Sequence, residues 1–435
     1  LKKICLIMNN KDIVYNNIQD KIEFKDEFKN IFNQMEYSDK NIFITGNAGT
    51  GKTTLLEYFR LNSKKNFVIL ASTGISAIKA KGKTIHSFFL FPPRILINEK
   101  VKRLRSKIIN KIDTILIDEC SMIRCDVLDA IDKSLRLNRN FEKSFGGVQI
   151  ILLGDIHQLP PVIRENEQDI FDNFYPNGHY FFNANCYSES NIQLYELTKI
   201  YRQKDEKFIK ILNKIRTGNV TNIDLLPLNN TVTFQDSNLP SETIILSPTN
   251  RKVDSINSFN LQNINSEVFS YQSKETGNFK ERPADEILKL KVGAQVMLIK
   301  NDTKSPKRWV NGSIGIVTEL STNSIHLKIK NKVHKIIQDT WEKFDYLIKN
   351  GQVTHEVVAT FTQYPIKLAW AVTIHKSQGQ TFEKVIIDLD RGSFAHGQTY
   401  VALSRVTSLE GLFLTRPIEI SDIIFDNNLK YPDLN

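Results

Sequence analysis

The sequence predicts an α/β fold in two similar lobes, with a small antiparallel barrel inserted into the second lobe. Three observations predict it. The apolar run Asn41-Ile42-Phe43-Ile44-Thr45 leads through Gly46-Asn47-Ala48-Gly49-Thr50-Gly51-Lys52-Thr53 into Thr54-Leu55-Leu56-Glu57-Tyr58-Phe59, a buried strand turning into a helix. Strand-to-helix units at 66–79 and 243–250, one in each half, imply two lobes with a cleft between them. From about 281 to 361 the pattern changes to short strands and turns, with Asn311-Gly312 between apolar runs as a hairpin signal.

The glycine-rich stretch is a complete phosphate-binding loop in its proper setting. Its glycines let the backbone N–H groups point inward at phosphate oxygens, and the first helical turn adds its unpaired donors and positive dipole end. Lys52 is placed to reach the outer phosphates of a nucleotide and the Thr53 hydroxyl to ligate Mg²⁺.

A chain of 435 residues is too long for one core, so two to four domains are expected. With 41% hydrophobic and 24% charged residues the composition is that of an ordinary globular protein. The excess of 58 Lys+Arg over 48 Asp+Glu, a net charge of +10, favours a polyanionic partner. No apolar run approaches the roughly 20 residues that span a bilayer, so no membrane partner is expected. The block Leu1–Met8 is too short for a secretory signal. Four cysteines argue for a reducing compartment, with Cys120 and Cys125 read as core thiols.

Residues 1–40 read as an N-terminal helical segment with Ile22, Phe24, Phe28, Ile31 and Phe32 at helical spacing, either covering the base side of the nucleotide or simply packing. After the strand at 66–70, the turn Ser72-Thr73-Gly74 offers hydroxyl and backbone donors beside the nucleotide site, although Ser and Thr also cap helices everywhere. Thr84-Ile85-His86-Ser87-Phe88-Phe89 and Phe91 suit either stacking on unpaired bases or core packing. Arg94, Lys100, Lys102, Arg103, Arg105, Lys107 and Lys111 against the single acid Glu99 suit a solvated face or a groove that tracks a phosphate backbone.

The strand at 114–117 ends in Asp118 and Glu119, at the carboxyl edge of a parallel sheet where ligands bind. Asp118 can hold Mg²⁺, and Glu119 can take a proton from an attacking water. The strand at 148–153 ends in Gly154-Asp155-Ile156-His157-Gln158-Leu159-Pro160-Pro161-Val162, where Gln158 can sense a terminal phosphate. Arg202, after Glu196-Leu197-Thr198-Lys199-Ile200-Tyr201, is a candidate cationic finger or a structural ion pair. In the second half, an amphipathic helix at 206–218, the strand-to-helix unit at 243–250 and the strand at 385–389 rebuild the α/β pattern. Lys376, Ser377 and Gln378 can meet phosphate or substrate, and Arg405 is a second candidate finger.

The order of these motifs resembles the superfamily one helicases of the five-prime-to-three-prime branch, most closely the PIF family. GNAGTGKTT, IDECSM, GDIHQLPPV, LTKIYRQ, VTIHKSQGQTF and TYVALSRV are each similar to a family motif, in the family's order, from about residue 41 to 416. STGISAIKAKGKTIHSFF and the 126–147 stretch favour PIF over the related RecD-like helicases. The resemblance implies two RecA-like lobes at 41–203 and at 204–280 with 362–435, an SH3-like barrel at 281–361 and a basic insertion at about 88–111. It implies that Gly46 to Thr54, Asp118, Glu119, Gln158, Arg202, Gly379 and Arg405 serve ATP and Mg²⁺. It places single-stranded DNA on Ser72, Thr73, Gly74, Thr84, His86, Ser87 and Phe88, on His157 and Pro160, and on Thr249, Asn250, Thr373, His375, Lys376 and Ser377. The implied activity is ATP-driven 5′-to-3′ translocation with unwinding of duplexes, forks or guanine quadruplexes by a chain that is monomeric in solution. Its location would be cytoplasmic in a bacterium, nuclear or mitochondrial in a eukaryote. A RecD-like subunit of a larger complex and an ATP-dependent single-strand clamp are the alternatives. Ser72 stands where the family usually has proline, and no glutamine motif for adenine precedes the loop.

Overall fold

The computed structural model describes residues 26–426 and 429, apart from 98, 100, 102, 105, 106, 204, 234–242, 280, 281, 303, 305–307, 350 and 351. The first lobe is built on six parallel strands: β1 (Ile42–Gly46), β2 (Phe67–Ala71), β3 (Lys83–Thr84), β4 (Thr114–Asp118), β5 (Gln149–Leu153) and β6 (Gln193–Leu197). Their order across the sheet is β3-β2-β4-β5-β1-β6. Successive side chains of a strand point to opposite faces, and here both faces are covered. Ile42, Ile44, Ile69, Leu116 and Ile151 pack under the helices Asp26–Tyr37 and Lys52–Asn62. Phe43, Val68, Leu70, Ile115 and Leu152 face the opposite core, against the helix Cys125–Asn138. Covering both faces explains why these strands read as unbroken apolar runs. Of the N-terminal segment, Asp26–Tyr37 is helical, and Ile22 and Phe24 lie outside the described residues.

The second lobe is a smaller parallel sheet. Its β7 (Ile244–Ser247) follows β6 in sequence, and ten antiparallel-region strands separate it from the rest of that sheet. Those are β8 (Phe269–Gln272), β9 (Lys274–Thr276), β10 (Ile287–Leu290), β11 (Gln295–Leu298), β12 (Ile314–Ser321), β13 (Ser324–Ile329), β14 (Lys332–Ile336), β15 (Asp339–Lys349), β16 (Gln352–Gln363) and β17 (Ile366–Leu368). Then β18 (Ala371–Thr373), β19 (Val385–Ile387) and β20 (Leu412–Leu414) complete the lobe in the order β18-β7-β19-β20. The insertion thus runs from Phe269 to Leu368, wider than the expected 281–361. The reason is pairing: β8 pairs antiparallel with β10, and β17 with β11, around a core that includes Tyr271, Leu288 and Ile366.

The basic stretch at 88–111 is not a separate globular unit among its described residues. Leu96 and Ile109 are buried in the first-lobe core and tie that chain down, while Lys100, Lys102 and Arg105 lie outside the described residues. Two long-range contacts fix the rest. The β15–β16 hairpin reaches the first lobe, where the Tyr346 hydroxyl accepts from the Ile69 N–H at 2.8 Å and donates to the Ile69 carbonyl at 3.1 Å. Lys83 and Asp345 pair beside it at 2.7 Å. After β20 the chain returns to the first lobe, with Phe425 and Leu429 against its core and Tyr180 donating to Asp426 at 3.0 Å.

Candidate functional site

The loop from Gly46 to Thr53 joins the buried strand β1 to the helix Lys52–Asn62. Gly49 has φ 86°, and a Cβ there would lie 2.5 Å from Arg202 Cβ. The missing side chain therefore lets the segment after β6 lie on the loop, where the Tyr201 N–H donates to the Gly49 carbonyl at 2.9 Å. Lys52 Nζ donates to the Gly46 carbonyl at 2.6 Å and the Asn47 carbonyl at 3.0 Å. Burial lowers its pKa, opposed by the charges of Asp155 and Glu119.

Asp118 ends β4, and Glu119 follows with φ 51°, ψ 48°, a left-handed conformation uncommon outside glycine, its N–H donating to Asp118 Oδ1 at 3.0 Å. Burial, and then the neighbouring Glu119 charge, raise the Asp118 carboxyl to about 7. A half-buried pair of adjacent carboxylates calls for a cation, and Thr53 is exposed at the first helical turn. Among the described residues no three His, Cys, Asp or Glu form a metal cluster. That fits Mg²⁺, which is bound through one or two protein ligands plus phosphates and water.

Asp155, just beyond β5, organises the loop that carries Gln158. It accepts from Arg216 Nε and Nη2 at 3.2 and 3.1 Å, from Gln158 Nε2 at 3.3 Å and from the Tyr400 hydroxyl at 3.4 Å. Burial would raise its pKa, but Arg216, Lys52 and His157 outweigh that and hold it at about 2. Its contribution to stability is therefore present above the ordinary carboxylate pKa and lost as pH falls from about 4 toward 2. Arg216→Ala leaves this carboxylate buried and unpaired, and thermal denaturation at neutral pH should show a loss of about 3–5 kcal/mol. A midpoint unchanged from the parent would show the pair to be dispensable.

The second lobe completes the site. The Ala48 N–H donates to the Tyr400 hydroxyl at 3.1 Å, and Asn47 Nδ2 donates to Asn213 at 2.8 Å. Ala48 and Leu159 are buried in the second-lobe core. Gly397 makes this approach possible, because a Cβ there would lie 2.3 Å from the His157 carbonyl. Arg202 Nη1 donates to the Ser404 carbonyl at 3.1 Å. Arg405, 1% exposed, donates to the Val401 carbonyl at 2.8 Å and to Ser404 Oγ at 2.7 Å. Burial, then repulsion from Arg202, lowers its pKa to about 9. Among the described residues neither guanidinium has a carboxylate partner, so the structural ion pair considered for Arg202 is absent. Gln378 Nε2 reaches Gln158 Oε1 at 3.2 Å and Glu119 Oε2 at 3.4 Å, and Gly379 adjoins it.

The candidate DNA residues divide. A cavity of about 330 Å³ in the first lobe is lined by Ser72, Thr73, His86, Arg94, Arg124 and Val162, among others. Thr73 and Thr84 cap the helices Gly74–Lys79 and Ile85–Phe89 through their hydroxyls. Burial, then the Arg124 charge, lowers the His86 pKa. Ser87 is exposed and Pro160 half-buried. Phe89 and Phe91 stack in the core at 5.2 Å, leaving Phe88 half-buried and edge-on to Tyr346 at 6.1 Å. In the second lobe Thr249, Asn250 and Lys376 are exposed, and the half-buried His375 stacks on Phe394, which is 61% exposed. Three expectations need correction. His157 is 7% exposed, with its ring stacked on Phe425 at 6.1 Å. Thr373 and Ser377 are buried, and their hydroxyls serve the local turn, bonding to the Lys376 N–H and the Ile374 carbonyl. Burial sets these three side chains back from the surface.

Several residues went unassigned in the sequence reading: Asp155, Arg216, Asn213, Tyr400 and Lys79. Asp155 alone had a local signal, its place at the carboxyl end of β5. Tyr201, 40% exposed, was also passed over, and its ring and that of Phe28 flank Gly51, 3.9 and 3.6 Å from where a Cβ would stand.

A family model described as PIF1-like helicase matches residues 21–224, and one described as the 2B domain of DNA helicase Pif1 matches residues 280–320. The ATP-dependent DNA helicase Pif1 of Bdellovibrio bacteriovorus is 32% identical, covering 87% of this chain and 84% of that one. The ATP-dependent DNA helicase RRM3 of Saccharomyces cerevisiae is 29% identical over 89% of this chain, which spans 64% of that relative's length. Among solved structures, Bacteroides sp Pif1 in complex with ADP-AlF4 superposes with a TM-score of 0.85 at 38% identity, covering 93% of this chain and 95% of that one. Bacteroides Pif1 bound to ssDNA superposes with a TM-score of 0.68 at 38% identity, covering 94% and 96%.

Proposed function

The chain belongs to the PIF1-like helicase family, and from that premise we propose that it is an ATP-dependent DNA helicase, moving 5′ to 3′ on single-stranded DNA and opening duplexes, forks or structured DNA such as guanine quadruplexes. What supports this reading is that residues of both lobes meet at the phosphate-binding loop. Tyr400 of the second lobe bonds the phosphate loop, and the Ser404–Arg405 turn of that lobe meets Arg202 of the first. Closing and opening that site moves one lobe against the other, which is what a motor on a strand requires.

In the proposed mechanism, Lys52 would leave the loop carbonyls for the outer phosphates of ATP, and Tyr201 and Phe28, whose rings flank Gly51, would border the nucleotide. Thr53 and Asp118 would hold Mg²⁺, which supplies charge neutralisation across the phosphate oxygens. Glu119 takes the proton of the attacking water, and Gln158 orients near it. Buried Arg405 and half-buried Arg202 repel each other, and among the described residues neither is bonded to a carboxylate, so the phosphates of ATP supply their counter-charge and the charge that develops on the transferring phosphoryl group strengthens it. Ser72, Thr73 and His86 on one lobe, and Thr249, Asn250 and Lys376 on the other, follow the carboxyl ends of β2, β3, β7 and β18, where ligands of open parallel sheets bind. They are the proposed grips on the strand, and the Tyr346 contact sets the antiparallel insertion beside the first of them.

Strand displacement by the isolated chain, on duplexes with a five-prime or a three-prime tail, tests this. Release of the labelled strand from the five-prime-tailed duplex alone, and only with ATP, is expected. Duplex stacking of about 1.4 kcal/mol per step sets a load that one ATP per step easily exceeds. Release from the three-prime tail would reverse the polarity. ATP turnover with no displacement would favour the clamp, and activity only with partner chains the RecD-like subunit.

A further inference from the structure

One contact in the cleft has no part in the chemistry described above. Gln378 uses a single amide nitrogen to bond Glu119 Oε2 at 3.4 Å and Gln158 Oε1 at 3.2 Å, across the boundary between the lobes. Its own main chain is held from the first lobe: Lys79 Nζ donates to the Gln378 carbonyl at 3.4 Å, and a Cβ on Gly379 would lie 3.7 Å from that ammonium. Lys79 is the last residue of the helix Gly74–Lys79, and Thr73 of the 330 Å³ cavity is its N-cap. One short rigid helix therefore carries a proposed DNA contact at one end and the tether of Gln378 at the other.

An attacking water cannot donate to the Glu119 lone pair that the Gln378 amide already occupies. We propose that Gln378, anchored by Lys79, is a positioning residue that occupies Glu119 and Gln158 while no strand is bound, and that displacement of the helix Gly74–Lys79 by single-stranded DNA withdraws it. Binding of the strand thereby frees the base and the phosphate sensor together. The inference rests on the proposed role of Glu119 in ATP hydrolysis, and adds the means by which DNA switches it on.

The test compares ATP hydrolysis by the full chain, with and without a saturating oligothymidylate, in Gln378→Ala, Lys79→Met and Lys79→Arg. Fluorescence anisotropy of the same oligonucleotide measures strand affinity. A hydrogen bond to a charged group, here a long one, is at the lower end of its range, about tenfold in a rate. Gln378→Ala should raise the DNA-free rate about tenfold and leave the DNA-saturated rate within about twofold, so the stimulation ratio collapses while affinity for the strand stays constant. Lys79→Met should shift the ratio the same way, and Lys79→Arg should restore it. A merely structural contact would lower both rates in proportion, and that result, or an unchanged DNA-free rate, overturns the proposal. Glu119→Gln separates the two levels: normal hydrolysis in that variant defeats the underlying reading, whereas its inactivity beside an unaltered Gln378→Ala ratio defeats this inference alone.

Discussion

Lys52→Ala is expected to lower DNA-stimulated ATP hydrolysis by roughly a thousandfold or more while leaving the affinity for single-stranded DNA within about twofold. The magnitude follows from the position of the ammonium. It is half-buried in the loop on the carbonyls of Gly46 and Asn47, and among the described residues no carboxylate is bonded to it, so it is partly desolvated before a phosphate arrives. A preorganised donor of that kind, aimed at developing charge in a water-poor site, contributes about 3–4 kcal/mol to the transition state when a neutral group does so, and a full cation contributes more. The bonds of Lys52 Nζ go to the Gly46 and Asn47 carbonyls and to none of the proposed strand contacts, Ser72, Thr73, His86, Thr249, Asn250 and Lys376. A coupled assay of phosphate release, with anisotropy on a labelled oligonucleotide, reads both quantities. Turnover retained in the variant would remove the loop from catalysis.

Glu119→Gln is expected to bind ATP as well as the parent does and hydrolyse it about 10²–10⁴-fold more slowly, the usual range for loss of a positioned general base. The substitution keeps shape and volume. Glu119 pays a conformational cost by sitting at φ 51°, outside the region non-glycine residues prefer, and such strain persists where the surroundings hold a side chain in place. The amide also removes one of two adjacent negative charges, so Asp118, raised to about 7 beside Glu119, should ionise more easily in the variant. Nucleotide affinity should therefore be preserved or improved. Equilibrium binding of a fluorescent ATP analogue and single-turnover hydrolysis separate the two effects, and an unaltered single-turnover rate would exclude Glu119 as the base.

The parallel strands were legible because both of their faces are buried. Runs such as Ile115-Leu116-Ile117 carry the signal without help from any alternation, and the structure places β1, β4, β5, β7 and β19 on or within a residue or two of the runs that announced them. The phosphate loop and the carboxylates after β4 were legible because their chemistry is local: the groups that act together are neighbours in sequence. What was hidden is non-local. The Ala48–Tyr400 bond joins residues 352 positions apart, and Asp155 finds Arg216 from the other side of the cleft. No spacing announces such pairs. The same limit misplaced His157, Thr373 and Ser377. A turn after a strand can point a side chain either to the cleft or into the lobe, and the covering ring of Phe425 arrives from the far end of the chain. The insertion was found by its turns and short strands, but Phe269–Gln272 has too few apolar residues to declare that it pairs with β10.

Two arginines from different lobes are proposed to act on one nucleotide. The structure now holds Arg202 on the Ser404 carbonyl and Arg405 on the Val401 carbonyl and Ser404 Oγ. A crystal structure of the chain with ADP, Mg²⁺, aluminium fluoride and a single-stranded oligonucleotide measures the outcome directly. The account predicts that both guanidinium groups leave those partners and come within about 3 Å of the fluoride ligands, with Lys52 Nζ beside them. Either arginine still bonded as it is here, with the analogue fully bound at the loop, would contradict it.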